Sequence, residues 1–228
     1  MPGVTIRERT QRLSRTLPTD TGVYFLAGLA DKGPNGTPVL LQSLADFERY
    51  FGARQTYSSA WDMVDAFFQQ GGNKMYFSRV FGPNPTTATV NLLDNVAAIS
   101  LVAPASSPGV WGASLNIQVL AGDQAGEFKL QITHDTDTTI NVTSPSLVDQ
   151  AAAIAWAETS DYIRLALGAS LLDPNPGAVQ SLTGGTDDRT NATDATWLAA
   201  LNAFARDLGP GQVGYANRTT STAHGQLL

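Results

Sequence analysis

Residues 22–82 alternate between apolar strand-like segments and amphipathic helical segments, and this alternation restricts the possible folds more than any other feature. Gly22-Val-Tyr-Phe-Leu-Ala-Gly28 is apolar at consecutive positions, which is typical of a strand covered on both faces. After a helical stretch, Lys74-Met-Tyr-Phe-Ser-Arg-Val80 is predicted to be the returning strand. Strand, crossover and strand in this order predict a parallel pair with a right-handed connection.

Two helices are predicted between these strands. Ser43-Leu-Ala-Asp46 has the spacing of a capping box and should start the first helix, which Gly52 should end. Ser59 should cap the second helix, and the Gly71-Gly72 pair should end it. The two apolar stripes are Leu44, Phe47 and Phe51 in the first helix, and Trp61, Val64 and Phe68 in the second.

From about residue 89 the sequence is rich in threonine, valine and small residues, which favours strands. Strands are predicted at 97–103, 114–121, 126–134, 138–143 and 162–167, with one helix at about 146–158 and a second helical stripe at 194–208. The fold class is therefore α/β (α+β), with an α/β sandwich core interrupted by a β-rich insertion. We assign residues 1–20 to an extended N-terminal arm, 21–88 and 181–228 to a discontinuous core, and 89–180 to the inserted domain.

The predicted core is incomplete at its C-terminus. Thr219-Thr-Ser-Thr222 favours the start of a helix, yet the sequence stops at Leu228, within about two turns. The predicted strands are also too few to complete the core sheet. We therefore expect this chain to be the N-terminal portion of a longer protein.

The first fifteen residues form a basic leader on an acidic body. They contain four arginines and one acid, for a formal charge of +3, and the other ten basic and nineteen acidic residues give −9. A leader this short builds no core of its own, but it can lie across the acidic surface of another copy of the chain. Its arginines are Arg7, Arg9, Arg12 and Arg15.

The leader also has the pattern of a strand with one apolar face. Val4 and Ile6 alternate with Thr5 and a basic residue, and Pro18 ends the segment. We interpret it as an arm that joins copies of the protein. Two alternatives stay open, a disordered tail and an arginine-rich transit peptide, although Pro2 disfavours the helix that a transit peptide needs. The predicted arm contacts are Val4, Ile6, Arg7, Arg9 and Arg12.

Composition disfavours several classes of site. The chain has no cysteine, which excludes disulfides, thiolate zinc sites and cysteine nucleophiles. Its pI of about 4.7 argues against nucleic-acid binding, which needs a basic surface. The longest apolar run, residues 22–30, is too short to cross a bilayer. We expect no nucleic-acid partner and no membrane insertion.

Motifs for catalysis are weak. Gly28 and Gly33 have the spacing of a phosphate-binding loop, but Pro34 occupies the position of the required lysine. His134 is predicted to be solvated at a hairpin tip, and His224 has no nucleophile elbow around Ser221.

Acidic groups offer a calcium alternative, because carboxylate oxygens are calcium ligands. The two groups are Asp187, Asp188 and Asp194, and Asp135 with Asp137, and neither has the order of a calcium loop. Solvated surface charge is the preferred interpretation. We therefore expect no catalytic residue, no metal and no cofactor.

Four segments, taken in order, resemble the contractile phage tail sheath proteins. In the second, paired glycines precede a strand that ends in Arg79-Val80, and the third contains Pro108-Gly-Val-Trp-Gly112. Asp188 departs from the glycine that the family often has at that turn, and family members run well beyond this length. The segments are Gly22–Pro34 with Pro38–Gly52, Phe67–Val80, Pro108–Val119 and Leu182–Asp187.

The resemblance implies a structural subunit that catalyses no reaction. Sheath subunits stack as hexameric rings around an inner tail tube protein, and terminal arms pair with neighbouring subunits while the sheath shortens. The implied partners are other sheath subunits, the tube protein, and the baseplate and tail terminator proteins. The implied location is the virion, after assembly in the bacterial host cytoplasm. A phage-derived bacteriocin or injection machine is an alternative setting, and a nucleotide-binding α/β enzyme is an alternative class.

Overall fold

The structure is a computed structural model that describes residues 22–34 and 36–217. The predicted arm residues Val4, Ile6, Arg7, Arg9 and Arg12 lie outside the described residues, as do Ser221 and His224. Within the described residues the chain combines four α-helices with eleven strands in three sheets, which confirms the mixed α+β class.

The elements follow one another in three groups. The first comprises β1 (Val23–Gly28), β2 (Val39–Leu41), α1 (Leu44–Phe51), α2 (Ala60–Gln69) and β3 (Lys74–Arg79). The second comprises β4 (Thr89–Leu93), β5 (Ile99–Pro104), β6 (Leu115–Ala121), β7 (Phe128–His134), β8 (Asn141–Thr143), α3 (Gln150–Glu158), β9 (Ala166–Leu167) and β10 (Gln180–Ser181). The third comprises α4 (Asp194–Asn202) and β11 (Gln212–Tyr215).

The first and third groups form one sheet in the order β11-β1-β3-β2. Strand β1 pairs in parallel with both β3 and β11, and β2 is antiparallel to β3. The predicted parallel pair is therefore confirmed. Leu26 packs with α1 and α2 on one face, and Ala27 packs with Trp197 of α4 on the other. Successive strand residues point to opposite faces, so a strand covered on both sides must be apolar at every position.

The helix caps of the core follow the sequence only in part. The Ser43 hydroxyl accepts a hydrogen bond from the Asp46 amide at 3.1 Å, as predicted for α1. Ser59 is the N-cap residue of α2, as predicted, but its side chain accepts no capping hydrogen bond. Instead, the Ser59 amide donates to the Asn217 side chain at 2.7 Å, and Asn217 also donates to the Tyr57 carbonyl. Asn217, two residues after β11, therefore closes the start of α2 from a distant part of the sequence.

The second group forms two antiparallel sheets, β4-β5-β9 and β10-β6-β7-β8, which share one apolar cluster with α3. Four of the five strands predicted in this region are present with shifted ends. The fifth, predicted at 162–167, is reduced to a bridge at Ile163 and to the short β9. Helix α3 starts later than predicted, because Leu147 bridges to Phe128 and Asp149 is the N-cap. The division into a core and an inserted domain stays a prediction.

Candidate functional site

Arg79 is a fully buried arginine at the end of β3, where the core sheet meets the β-rich region. Its side chain has no exposed surface, although a lone buried guanidinium is strongly disfavoured. The structure satisfies it with backbone carbonyls. Nε donates to the Ala30 carbonyl at 2.9 Å, and Nη2 donates to the Asp31 carbonyl at 2.8 Å. Nη1 donates to the carbonyls of Gly33 at 3.3 Å and Pro108 at 2.8 Å.

These contacts bring together the four segments that carry the family resemblance. Ala30, Asp31 and Gly33 belong to the first segment, and Arg79 belongs to the second. Pro108 belongs to the third. Asp187 of the fourth lies with its carboxylate 3.7 Å from Arg79 Nη2. One guanidinium therefore connects loops that are far apart in the sequence.

Two glycines allow this close approach. Gly109 has φ 139°, and a Cβ there would lie 2.8 Å from the Trp111 ring and 2.9 Å from the Asp31 carbonyl. Gly185 has φ 93°, and a Cβ there would lie 2.7 Å from the Gly109 carbonyl oxygen. Both positions combine a left-handed backbone with no room for a side chain. The Pro108-Gly109 and Gly184-Gly185 pairs thus permit two loops to pack against the arginine.

Asp187 corrects a sequence expectation. It was predicted to be a solvated surface charge, but it is 4% exposed and forms ion pairs with two arginines. Its Oδ2 accepts from Arg189 Nη1 at 2.8 Å, and Arg189 also lies over the Tyr57 ring at 3.9 Å. Two cations beside one carboxylate leave it no role as a surface calcium ligand. Asp188 stays outside this pair, and its side chain accepts from the Asn84 amide.

Burial changes the ionisation of the groups around Arg79. Desolvation lowers the pKa of the Arg79 guanidinium to about 10, and Asp187 opposes this change. Desolvation raises the pKa of the Asp31 carboxyl despite the nearby arginines. It also raises the pKa of the Tyr57 phenol to about 12. Burial is the largest cause of all three pKa shifts, so the surroundings of Arg79 are a low-dielectric environment.

The role of Arg79 was missed at the sequence level, although one signal was available. The returning strand was predicted at Lys74–Val80, and its arginine is followed by the apolar Val80 and Phe81. An arginine that adjoins apolar residues in a buried strand requires buried acceptors. The periodicity of the strand gives no indication of which loops supply them.

The edges of the core sheet are the second feature relevant to assembly. The order β11-β1-β3-β2 leaves β11 at one edge, with a strand neighbour on one side only among the described residues. Gln212 and Val213 of this strand are exposed. Strand β2 occupies the other edge and has three residues. An edge strand offers backbone groups to an added strand from another chain.

Among the residues that the structure describes, the glycines, the histidine and the acids considered above do not form a catalytic constellation. The Gly33 amide, which a phosphate-binding loop would need, donates to the Ser107 hydroxyl at 3.0 Å. His134 Nδ1 accepts from the amides of Thr136 and Asp137 in its own turn. Within residues 22–34 and 36–217, no three metal-ligating side chains form a cluster. A search of the same residues finds no helix with the length and apolar character of a membrane span.

Comparison with known proteins shows where this fold occurs. No protein-family model matches the chain, and no curated protein matches it. The chain is similar to the crystal structure of a sheath tail protein from Listeria innocua, with a TM-score of 0.58 and 16% identity, over 81% of this chain and 39% of that one. It is also similar to a sheath tail protein from Desulfitobacterium hafniense, with a TM-score of 0.54 and 16% identity, over 88% of this chain and 42% of that one.

The chain spans about two fifths of the length of these two proteins. At 16% identity the likeness concerns the fold alone. The chain thus has a sheath-like fold, shared with part of two sheath tail proteins.

Proposed function

We propose that this chain is a structural subunit of a contractile tail sheath, which polymerises around an inner tube and shortens to drive the tube through a bacterial envelope. The observation that carries the proposal is the convergence of the four resemblance segments on Arg79, within a fold that two sheath tail proteins share. A chance match of short motifs would not bring all four segments to one side chain.

The proposal includes a division of labour within the chain. The α/β core of residues 21–88 and 181–228 forms the lattice, the β-rich region of residues 89–180 is an inserted domain, and residues 1–20 are the joining arm. The arm adds as a strand to an exposed sheet edge of a neighbouring subunit, through Val4, Ile6, Arg7, Arg9 and Arg12. Backbone hydrogen bonds suit this role because they tolerate sequence change and allow hinging at the strand ends.

The proposed partners are other sheath subunits, the tube protein, and the baseplate and tail terminator proteins. The work of contraction comes from the free-energy difference between two packings of the same subunits. The proposed setting is a virion tail assembled in the host cytoplasm.

Deletion of residues 1–17 from the full-length protein tests the proposal. We expect the deleted protein to keep the wild-type melting temperature and to sediment as small species, whereas the intact protein forms tubes visible by electron microscopy. Ordered tubes from the deleted protein would contradict the arm. Failure of the intact protein to assemble with tube protein present would contradict the sheath function itself.

A further inference from the structure

A pocket of about 220 Å³ lies between the core and the β-rich region, next to the loop whose carbonyls bind Arg79. The loop after β1 and the end of α1 form one wall, and the loops after β5 and α3 form the other. Its lining includes Lys32, Pro34, Val39, Arg49, Asp161 and Arg164.

Lys32 is the unusual group in this pocket. Its ammonium lies 5.9 Å from the Trp111 ring centroid and 5.6 Å from the Tyr162 ring centroid. Its backbone amide donates to the Phe51 carbonyl at 3.2 Å, which fixes the position of the residue. Among the described residues no acceptor lies within hydrogen-bond or ion-pair distance of the ammonium. A half-buried cation held by two aromatic faces can still donate three hydrogen bonds.

The charge of the pocket is opposite to that of the chain. Three cations line it, and Asp161 is the only acid in the lining, for a net charge of +2 in a chain of −6. Arg49 binds only Oδ2 of Asp161, through Nη2 at 2.9 Å and Nε at 3.2 Å. Arg164 Nη1 donates to three backbone carbonyls, and its Nε lies 3.9 Å from Glu158. Lys32 is therefore the lining cation whose charged group has no hydrogen bond to a described residue, whereas each arginine has at least one.

We propose that this pocket binds a carboxylate on a short apolar stem, with the Lys32 ammonium as its main contact. Pro34 and Val39 supply apolar wall for the stem. The carboxylate comes from an acidic side chain of a second copy or from a free small carboxylate. The first source rests on the proposed sheath function.

Glutarate is a suitable probe because it carries carboxylates on an apolar stem. The full chain is melted in glutarate and in sodium chloride of equal ionic strength. At ten times its dissociation constant, glutarate should raise the melting temperature by about 3–6 °C in a chain of this size. Lys32→Met should abolish this rise. Lys74→Met is the matched control, because the Lys74 ammonium also lies over a tyrosine, 5.7 Å from the Tyr76 ring, but outside the pocket.

An equal rise in Lys32→Met and wild type, or no rise in wild type, would overturn the proposal. If Lys32→Met does not fold, Arg49→Gln replaces it, and loss of at least half of the rise is expected because the pocket loses one of its three cations. Sedimentation of assembled wild type separates the sources. Disassembly by glutarate, together with loss of assembly in Lys32→Met, supports a carboxylate of a second copy. Unchanged assembly with the thermal rise intact supports a free carboxylate, and failure of wild type to assemble contradicts only the sheath function.

Discussion

Replacement of Arg79 by methionine tests whether the buried guanidinium holds the core and the β-rich region together. Methionine has a similar length and no donor, so the change removes four hydrogen bonds to backbone carbonyls and one ion pair. Asp187 keeps Arg189 as a partner at 2.8 Å, which limits the loss on the acidic side.

The expected cost follows from the groups left without donors. Breaking a buried charge pair costs about 3–5 kcal/mol, and each unsatisfied buried carbonyl costs about 1–3 kcal/mol when water cannot reach it. Some carbonyls will gain water once the loops relax, so we expect a loss of about 4 kcal/mol in the free energy of unfolding. In a chain of this size that loss lowers the melting temperature by about 8–16 °C.

Two further variants serve as references for the stability loss of Arg79→Met. Arg189→Met removes the other partner of Asp187, but the Arg189 side chain is 30% exposed and Arg79 still compensates the carboxylate, so we expect a loss of about 1.5–3 kcal/mol, the range for one hydrogen bond to a charged group. Arg79→Lys keeps the charge, but all three of its donors are on one nitrogen atom. That single atom cannot reach both the carbonyls of the loop after β1 and the Pro108 carbonyl. We therefore expect Arg79→Lys to recover less than half of the loss.

Urea unfolding followed by circular dichroism measures the free energy of unfolding of all three variants. A variant whose m value equals that of the wild type unfolds in the same single transition. The reasoning fails if Arg79→Met costs no more than Arg189→Met, because the carbonyl contacts would then contribute nothing measurable. A variant that unfolds in two separated transitions would show instead that Arg79 couples two independently stable units.

Three other predictions concern different parts of the chain. Gly109→Ala should lower the free energy of unfolding by about 2–4 kcal/mol in urea titrations, and Gly184→Ala by only about 1 kcal/mol. Both glycines have positive φ, but only a Cβ at Gly109 would meet atoms within 4 Å. Equal losses in the two variants would refute the packing argument. Tyr57→Phe should leave stability at pH 7 unchanged or higher by about 0.5–1 kcal/mol, since the buried hydroxyl has no hydrogen-bond partner among the residues that the structure describes. Burial raises the pKa of Tyr57 to about 12 from 10.0, so ionisation favours the unfolded chain and wild-type stability should fall as the pH rises from 10 to 12, a decline that Tyr57→Phe should lack. In the arm, Ile6→Asp should abolish the tubes seen by electron microscopy, while Thr5→Asp, on the opposite face of the predicted strand, should leave them intact. Equal effects of the two substitutions would contradict a strand with one apolar face.

Local periodicity accounts for most of the core that could be predicted. The two-sided apolar segment became β1, its returning partner became β3, and the Ser43 cap and Gly52 stop delimit α1. These features depend on interactions within one turn of helix or along one strand, so neighbouring residues determine them.

Predictions failed where a partner lies far away in the sequence. The Ser59 hydroxyl donates to Asn217, which lies beyond β11, and makes no capping bond to α2, whereas Asp187 is buried because Arg79 and Arg189 surround it. Polar side chains form their hydrogen bonds with whatever the fold brings near, and spacing along the chain does not encode that proximity.

The sequence by itself determined the α+β class, the parallel strand pair and the order of the segments that resemble sheath proteins. Only the tertiary structure decided that those segments meet at Arg79 and that Lys32 lies between two aromatic rings in a cationic pocket. The physical reason is that a buried charge is tolerated only where distant loops supply acceptors or aromatic faces, and chain folding alone brings those loops together.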